Sequence, residues 1–165
     1  GPVGVRDGKS GYLLVGGYSG CWIDGRPAST LTLDEASLRA LGGTLGVGAI
    51  SILPESACGL CETARVARHL AGESAGQCGP CVHGLDAIAT RLERPSRQGP
   101  KADARSLLRW GEQVTGRGAC RHPDGAARFV ASALRVFEAE LRTHDPRRCP
   151  KRAARVLPIP RREAP

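Results

Sequence analysis

The sequence predicts an α+β chain in which a short β-rich start is followed by a four-helix bundle. Three observations carry this. Glycine-rich turns alternate with short β-like runs over residues 1–30. From Glu55 onward the apolar residues recur with a helical period. The helical stretches are joined by short links, which favour antiparallel neighbours.

Taken in order, Tyr12-Leu13-Leu14-Val15 reads as a strand ending at Gly16-Gly17. Cys21-Trp22-Ile23 then meets Asp24-Gly25, a pair suited to a tight hairpin because both residues tolerate positive φ. These strands are too few to close a β domain, so the segment reads as the end of something that began earlier. Thr32 or Asp34 is expected to cap a short helix, Asp34–Leu41, ended by Gly42-Gly43. Ala49–Leu53 reads as a short buried strand. Gly46 and Gly48 precede that strand, whereas a dinucleotide-binding glycine loop follows its strand, so the nucleotide reading fails on order.

Four helices follow. Leu60, Ala64, Ala67 and Leu70-Ala71 define the inner face of the first. The second starts near Pro80, with Val82, Leu85, Ile88-Ala89 and Leu92 inward. The third runs Asp103–Thr115 with Leu107, Leu108 and Val114 inward. The fourth, Asp124–Thr143, carries the clearest stripe, Ala126, Phe129-Val130, Ala133, Phe137 and Leu141. The expected organisation is a β-rich segment over 1–54, a bundle over 55–145 and a basic, disordered tail over 146–165.

The net charge of +8 is uneven, since the last 19 residues hold seven cations against the single acid Glu163. Such a surface suits an acidic partner protein. Nucleic acid is not expected, because the tail has no aromatics to stack bases and no nucleic-acid motif precedes it. No apolar run approaches the roughly 20 residues of a membrane span, and no secretory leader is read. Seven cysteines without such a leader point to metal or redox use rather than a disulfide scaffold.

Helix order places those cysteines. Cys58 and Cys61 start the first helix. Cys78 and Cys81 lie where the first gives way to the second, and Cys120 where the third gives way to the fourth. In an up-down bundle the last two junctions share one end, so Cys78, Cys81 and Cys120 converge while Cys58 and Cys61 lie opposite. Cys149 is expected to be incidental. Three chemistries use this spacing. Cys78-Gly79-Pro80-Cys81 has the letters of a thioredoxin site, but no apolar strand or tryptophan precedes it. Cys58-x-x-Cys61 with Cys78-x-x-Cys81 fits a four-thiolate zinc site on spacing, but a zinc ribbon needs knuckle turns where Cys58–Leu70 reads as helix. An iron–sulfur cluster needs converging thiolates in a partly dry pocket, which Cys78, Cys81 and Cys120 supply.

The stretch Glu73-Ser74-Ala75-Gly76-Gln77-Cys78-Gly79-Pro80-Cys81-Val82-His83-Gly84 resembles the cluster-binding segment of the NADH-binding flavoprotein subunit of respiratory complex I and its hydrogenase and formate dehydrogenase relatives, whose pattern is E-S-C-G-x-C-x-P-C-R-x-G. Ser37–Glu55 and Arg128–Leu141 extend the likeness, and Gly16-Gly17-Tyr18-Ser19-Gly20 resembles the end of the β-grasp (SLBB) domain that precedes the bundle. The resemblance implies a [4Fe–4S] cluster that takes electrons from flavin, with Cys78, Cys81 and Cys120 as ligands. Two family residues are replaced, the first cysteine by Ala75 and the arginine by Val82. Three thiolates leave a [3Fe–4S] cluster, or a [4Fe–4S] cluster whose fourth corner is open or held by His83, His122, Cys61 or Cys58.

The expected function is an electron-transfer module relaying electrons between a flavin or NAD(P)H reductase partner and another carrier, such as an acidic ferredoxin or flavoprotein. It is expected to be cytoplasmic or peripheral to a membrane complex. The family's flavin and NADH loops belong to a preceding domain and are not found in this sequence. The competing expectations are a non-catalytic interaction domain of the same fold, its site degenerate or zinc-substituted, and a fragment of a longer NAD(P)H-dependent reductase.

Overall fold

The computed structural model describes residues 11–25, 32, 34–96 and 98–160. The chain is α+β. Strands β1 (Tyr12–Val15) and β2 (Cys21–Asp24) form an antiparallel hairpin, and β3 (Ile50–Leu53) pairs antiparallel with the other edge of β1. The turn between β1 and β2 is Gly16–Gly20, and β2 ends at Asp24, where the hairpin expected at Asp24-Gly25 would lead into residues outside those described. Positive φ at Gly16 and Gly17 makes the tight reversal there possible. The path beyond Gly25 lies outside the described residues.

Side-chain alternation splits the sheet into two faces. Leu13, Val15 and Ile23 are buried with Leu38 of helix α1 (Glu35–Ala40), which Asp34 caps by accepting from the Ser37 N–H at 2.8 Å. Leu14 and Trp22, paired across the hairpin, face the helices.

Those helices are α2 (Gly59–Gly72), α3 (Asp86–Glu93), α4 (Pro100–Val114), α5 (His122–Val136) and the short α6 (Glu138–Leu141). The single long fourth helix expected from the sequence is broken at Phe137. The Phe137 ring lies 5.2 Å from that of Trp22 and 4.8 Å from that of Tyr12, both edge-on. Trp22 also packs against Phe129, and its backbone N–H donates to Ser132 Oγ at 2.9 Å. These rings lock the sheet onto α5, because aromatic pairs add orientation-dependent energy to their burial.

The inward stripes hold with two exceptions. Val82 and Leu108, expected inside from the periodicity, are 45% and 44% exposed. Val82 sits in a π turn, Pro80–Leu85, that leads into α3, and its wider winding shifts the phase of the stripe. Leu108 follows the buried Leu107, and adjacent helical positions do not share a face. Arg68 of α2 fastens α3 by donating to Asp86, Thr90 and Glu93, and Arg91 fastens α4 through the buried Asp103 at 2.8 Å.

Beyond α6 the chain returns to α2. Pro150–Ala153 forms a 3-10 turn and Leu157 is buried. The Leu157 N–H donates to the buried carboxylate of Glu62 at 2.8 Å, Arg65 donates to both Glu62 and the Leu157 carbonyl, and Tyr18 donates to the Pro158 carbonyl. A buried carboxylate is costly unless paired in this way. No helix among the described residues is long and apolar enough to cross a membrane.

Candidate metal centres

Two groups of thiols lie at the two ends of α2, whose 14 residues span roughly 20 Å at 1.5 Å per residue. The first is at the C-terminal end, in the junction leading to α3. The Cys78 sulfur accepts from the backbone N–H groups of Ala119 and Cys81, and these bonds, the Ala119 one foremost, hold its thiol below the ordinary range. Cys81 is buried in the π turn. Burial pushes its thiol up, the charges of Cys78 and Cys120 add to the rise, and a hydrogen bond with Ser74 opposes it. Cys120 is exposed, and its sulfur accepts from the His122 N–H at 3.5 Å. Cys81 feels the charges of both Cys78 and Cys120, and the N–H of Ala119, next to Cys120, reaches the Cys78 sulfur, so the three thiols share one neighbourhood at this end of α2.

The local backbone explains it. The π turn brings Pro80–Leu85 against α4, so closely that a Cβ on Gly84 would lie 2.2 Å from Val114 Cγ1. Ala75, in the loop before Cys78, is exposed and offers only a methyl group. Of the residues considered as a fourth ligand, His83 is exposed, while His122 directs Nε2 to the Leu70 carbonyl at 2.8 Å.

The second group is at the N-terminal end of α2. Cys58 is the N-cap, and its sulfur accepts from the Cys61 N–H at 3.5 Å. His144 Nε2 lies 3.3 Å from Cys58 Sγ and 3.4 Å from Cys61 Sγ. Cys149 completes the group, and the four ligand atoms all lie within 4.8 Å of one another. The hydrogen bond from the Cys61 thiol, then those from His144 and the Cys61 N–H, hold the Cys58 thiol far below its ordinary range. Cys61 is pushed up because it is the donor of that pair, and because it is buried beside Cys58 and Cys149. Gly59 stands between the cysteines because a Cβ there would lie 2.1 Å from the Phe137 ring. The group opens onto a cleft of about 730 Å³ lined also by Tyr12, Glu140 and Arg148.

This arrangement separates the four-thiolate zinc set that spacing suggested, because Cys58 and Cys61 lie at one end of α2 and Cys78 and Cys81 at the other. Sequence reasoning misses His144 and leaves Cys149 incidental. The available signal is His144-x4-Cys149 placed just after the last helical stripe.

Comparison with known proteins places the chain in a class of iron–sulfur-binding oxidoreductase segments. Residues 61–144 match the family described as the NADH-ubiquinone oxidoreductase-F iron-sulfur binding region, and the chain belongs to that family. It is 33% identical over 154 residues to the F 2 subunit of NADH-quinone oxidoreductase from Rhizobium meliloti (strain 1021), covering 91% of this chain and 35% of the relative. It is 34% identical over 115 residues to the corresponding F subunit of Mycobacterium bovis, covering 68% of this chain and 25% of that protein. The F subunit of Rickettsia bellii is 28% identical over 143 residues, covering 84% of this chain and 34% of that protein. The chain therefore spans about a third or less of the length of these curated relatives.

Proposed function

We propose that the chain is an electron-transfer module that holds an iron–sulfur cluster on Cys78, Cys81 and Cys120 and relays electrons between a flavin or NAD(P)H reductase partner and a further carrier. The observation that supports it most is that these three thiols share one neighbourhood beyond the end of α2, within a segment of an iron–sulfur-binding family. The residues fit such a group. Thiolates are soft ligands suited to iron–sulfur clusters, the N–H groups of Ala119, Cys81 and His122 are directed at the sulfurs, and Cys81 is buried. When bound, a cluster supplies one-electron storage at a potential set by hydrogen bonds, charge and exposure.

The chain's own part is to fix three thiolates and donate N–H···S bonds to them. It also shields Cys81 from water and leaves Cys120 at the surface, where a partner can approach. Ala75 supplies no fourth thiolate, so the cluster is [3Fe–4S], or [4Fe–4S] with an open or non-cysteine corner. In this reading residues 55–145 are the family's four-helix bundle and 1–54 an SLBB-like portion. The flavin and NADH sites belong to another domain or chain. The net positive charge suits an acidic ferredoxin or flavoprotein, met in the cytoplasm or at the edge of a membrane complex.

Anaerobic reconstitution of the full chain with iron and sulfide tests this. The expected result is a brown chromophore, iron and acid-labile sulfide in about equal amounts, and an EPR signal, all lost in Cys78→Ser and Cys120→Ser. A colourless protein without iron would falsify the reading. Zinc in place of iron, lost with Cys78→Ser, would instead make the chain a non-catalytic interaction domain.

A further inference from the structure

We propose that Cys58, Cys61, His144 and Cys149 form a second, separate metal centre, a closed Cys3His zinc site that pins the segment after the last helix to the start of α2. The ligand set is complete. Three sulfurs and one imidazole nitrogen lie within 4.8 Å of one another, with Nε2 of His144 at 3.3 and 3.4 Å from two of the sulfurs. With Zn–S near 2.3 Å and Zn–N near 2.0–2.1 Å, the edges of a tetrahedron are roughly 3.5–3.8 Å, so small side-chain shifts suffice to close it around one ion.

The chemistry of the donors selects the metal. Three thiolates and an imidazole suit zinc, while calcium and magnesium require oxygen ligands that the group lacks. A cluster interposes its own iron and sulfide atoms between its thiolates and spreads them wider than ligands that share a single ion. The compact group therefore fits one ion. Four protein ligands leave no open position, which is the signature of a structural rather than a catalytic zinc.

The surroundings agree. The Cys61 N–H donates to the Cys58 sulfur, and the positive end of the α2 dipole favours a thiolate at the cap. The four ligands come from two segments more than 80 residues apart in sequence. The later segment is tied again to α2 where Leu157 meets Glu62 and Arg65. An ion at the Cys3His group would thus clamp the start of a strap whose end is already fastened. Cys58 and Cys149 lie outside the 61–144 match to the family, so the site is not part of what that match describes.

The experiment keeps the two centres apart. The full chain carrying Cys78→Ser and Cys120→Ser, which disables the first thiol group, is purified and its zinc measured. The expected content is about one zinc per chain, abolished by adding Cys149→Ser or His144→Ala and retained in His144→Cys, which keeps a fourth soft ligand. Replacement by Co2+ is expected to give the intense visible bands and thiolate charge-transfer absorption of a tetrahedral, sulfur-rich site. Removing zinc with a chelator should speed tryptic cleavage at Arg147, Arg148 and Arg152. The proposal is overturned by a zinc-loaded chain that retains no zinc, by zinc that persists in the His144→Ala, Cys149→Ser double variant, by a Cys58–Cys61 disulfide in protein freshly isolated without air, or by a weak octahedral Co2+ spectrum. Should Cys149→Ser fail to fold, the Co2+ spectrum of the chain with Cys149 intact decides alone.

Discussion

The two ends of α2 carry the same four-letter pattern, Cys-x-x-Cys, and use it differently. At the start of the helix, Cys58 is the cap and Cys61 lies on the first turn, so both sulfurs point to one spot where His144 and Cys149 arrive. At the far end, Cys78 and Cys81 straddle a loop and a π turn, and their companion Cys120 comes from the junction before α5. The first group is compact and includes a nitrogen donor. The second has only thiols and receives backbone N–H groups on Cys78 and Cys120. Local backbone geometry, rather than the spacing of the cysteines, decides which further ligands such a pair can meet.

The largest expected effect comes from the cluster end. Cys81→Ser should abolish iron binding altogether while leaving zinc unchanged, as metal analysis of the same sample would record. Loss of iron and zinc together would erase the distinction between the two ends. Adding a fourth thiol by Ala75→Cys should sharpen it, shifting the EPR signature from a three-iron or open-cornered cluster to a fully ligated four-iron one.

Packing variants probe each end through its glycine. Gly59→Ala forces a methyl group into the Phe137 ring, and Gly84→Ala forces one into Val114. Each should cost about 1–3 kcal/mol, the usual range for overpacking, read as a lower midpoint in denaturant. The comparison predicts that the former weakens zinc retention and the latter iron retention, and the reverse assignment would break it. The smallest effect is expected at Arg68, whose side chain is 37% exposed although it pairs with Asp86 and Glu93. Arg68→Ala should lower stability by about 1 kcal/mol or less, with both metals kept.

Much of this organisation is legible in the sequence, for identifiable reasons. Amphipathic stripes such as Ala126, Phe129-Val130, Ala133 and Phe137 announce a helix whatever its surroundings. Counting helices in turn is what singles out Cys78, Cys81 and Cys120 together as candidate ligands. The Asp34 cap is readable because a carboxylate three residues before Ser37 suits its N–H. The group at the start of α2 is hidden because His144 and Cys149 come from beyond the last helical stripe, where no periodicity ties them to Cys58 and Cys61. The segment holding Cys149 is also dominated by its arginines, which mask the buried Leu157. The outward turn of Val82 depends on the π turn, and no periodicity rule anticipates one extra residue in a winding.

The central claim is that two different metal centres occupy opposite ends of one helix. It is tested most directly by measuring iron, acid-labile sulfide and zinc in the same sample of full chain, purified without air and reconstituted. The account predicts iron and sulfide in near-equal amounts together with about one zinc per chain. Iron should be lost with Cys78→Ser and zinc with Cys149→Ser, each without the other. A protein that holds no iron, or one in which either substitution removes both metals, would contradict it.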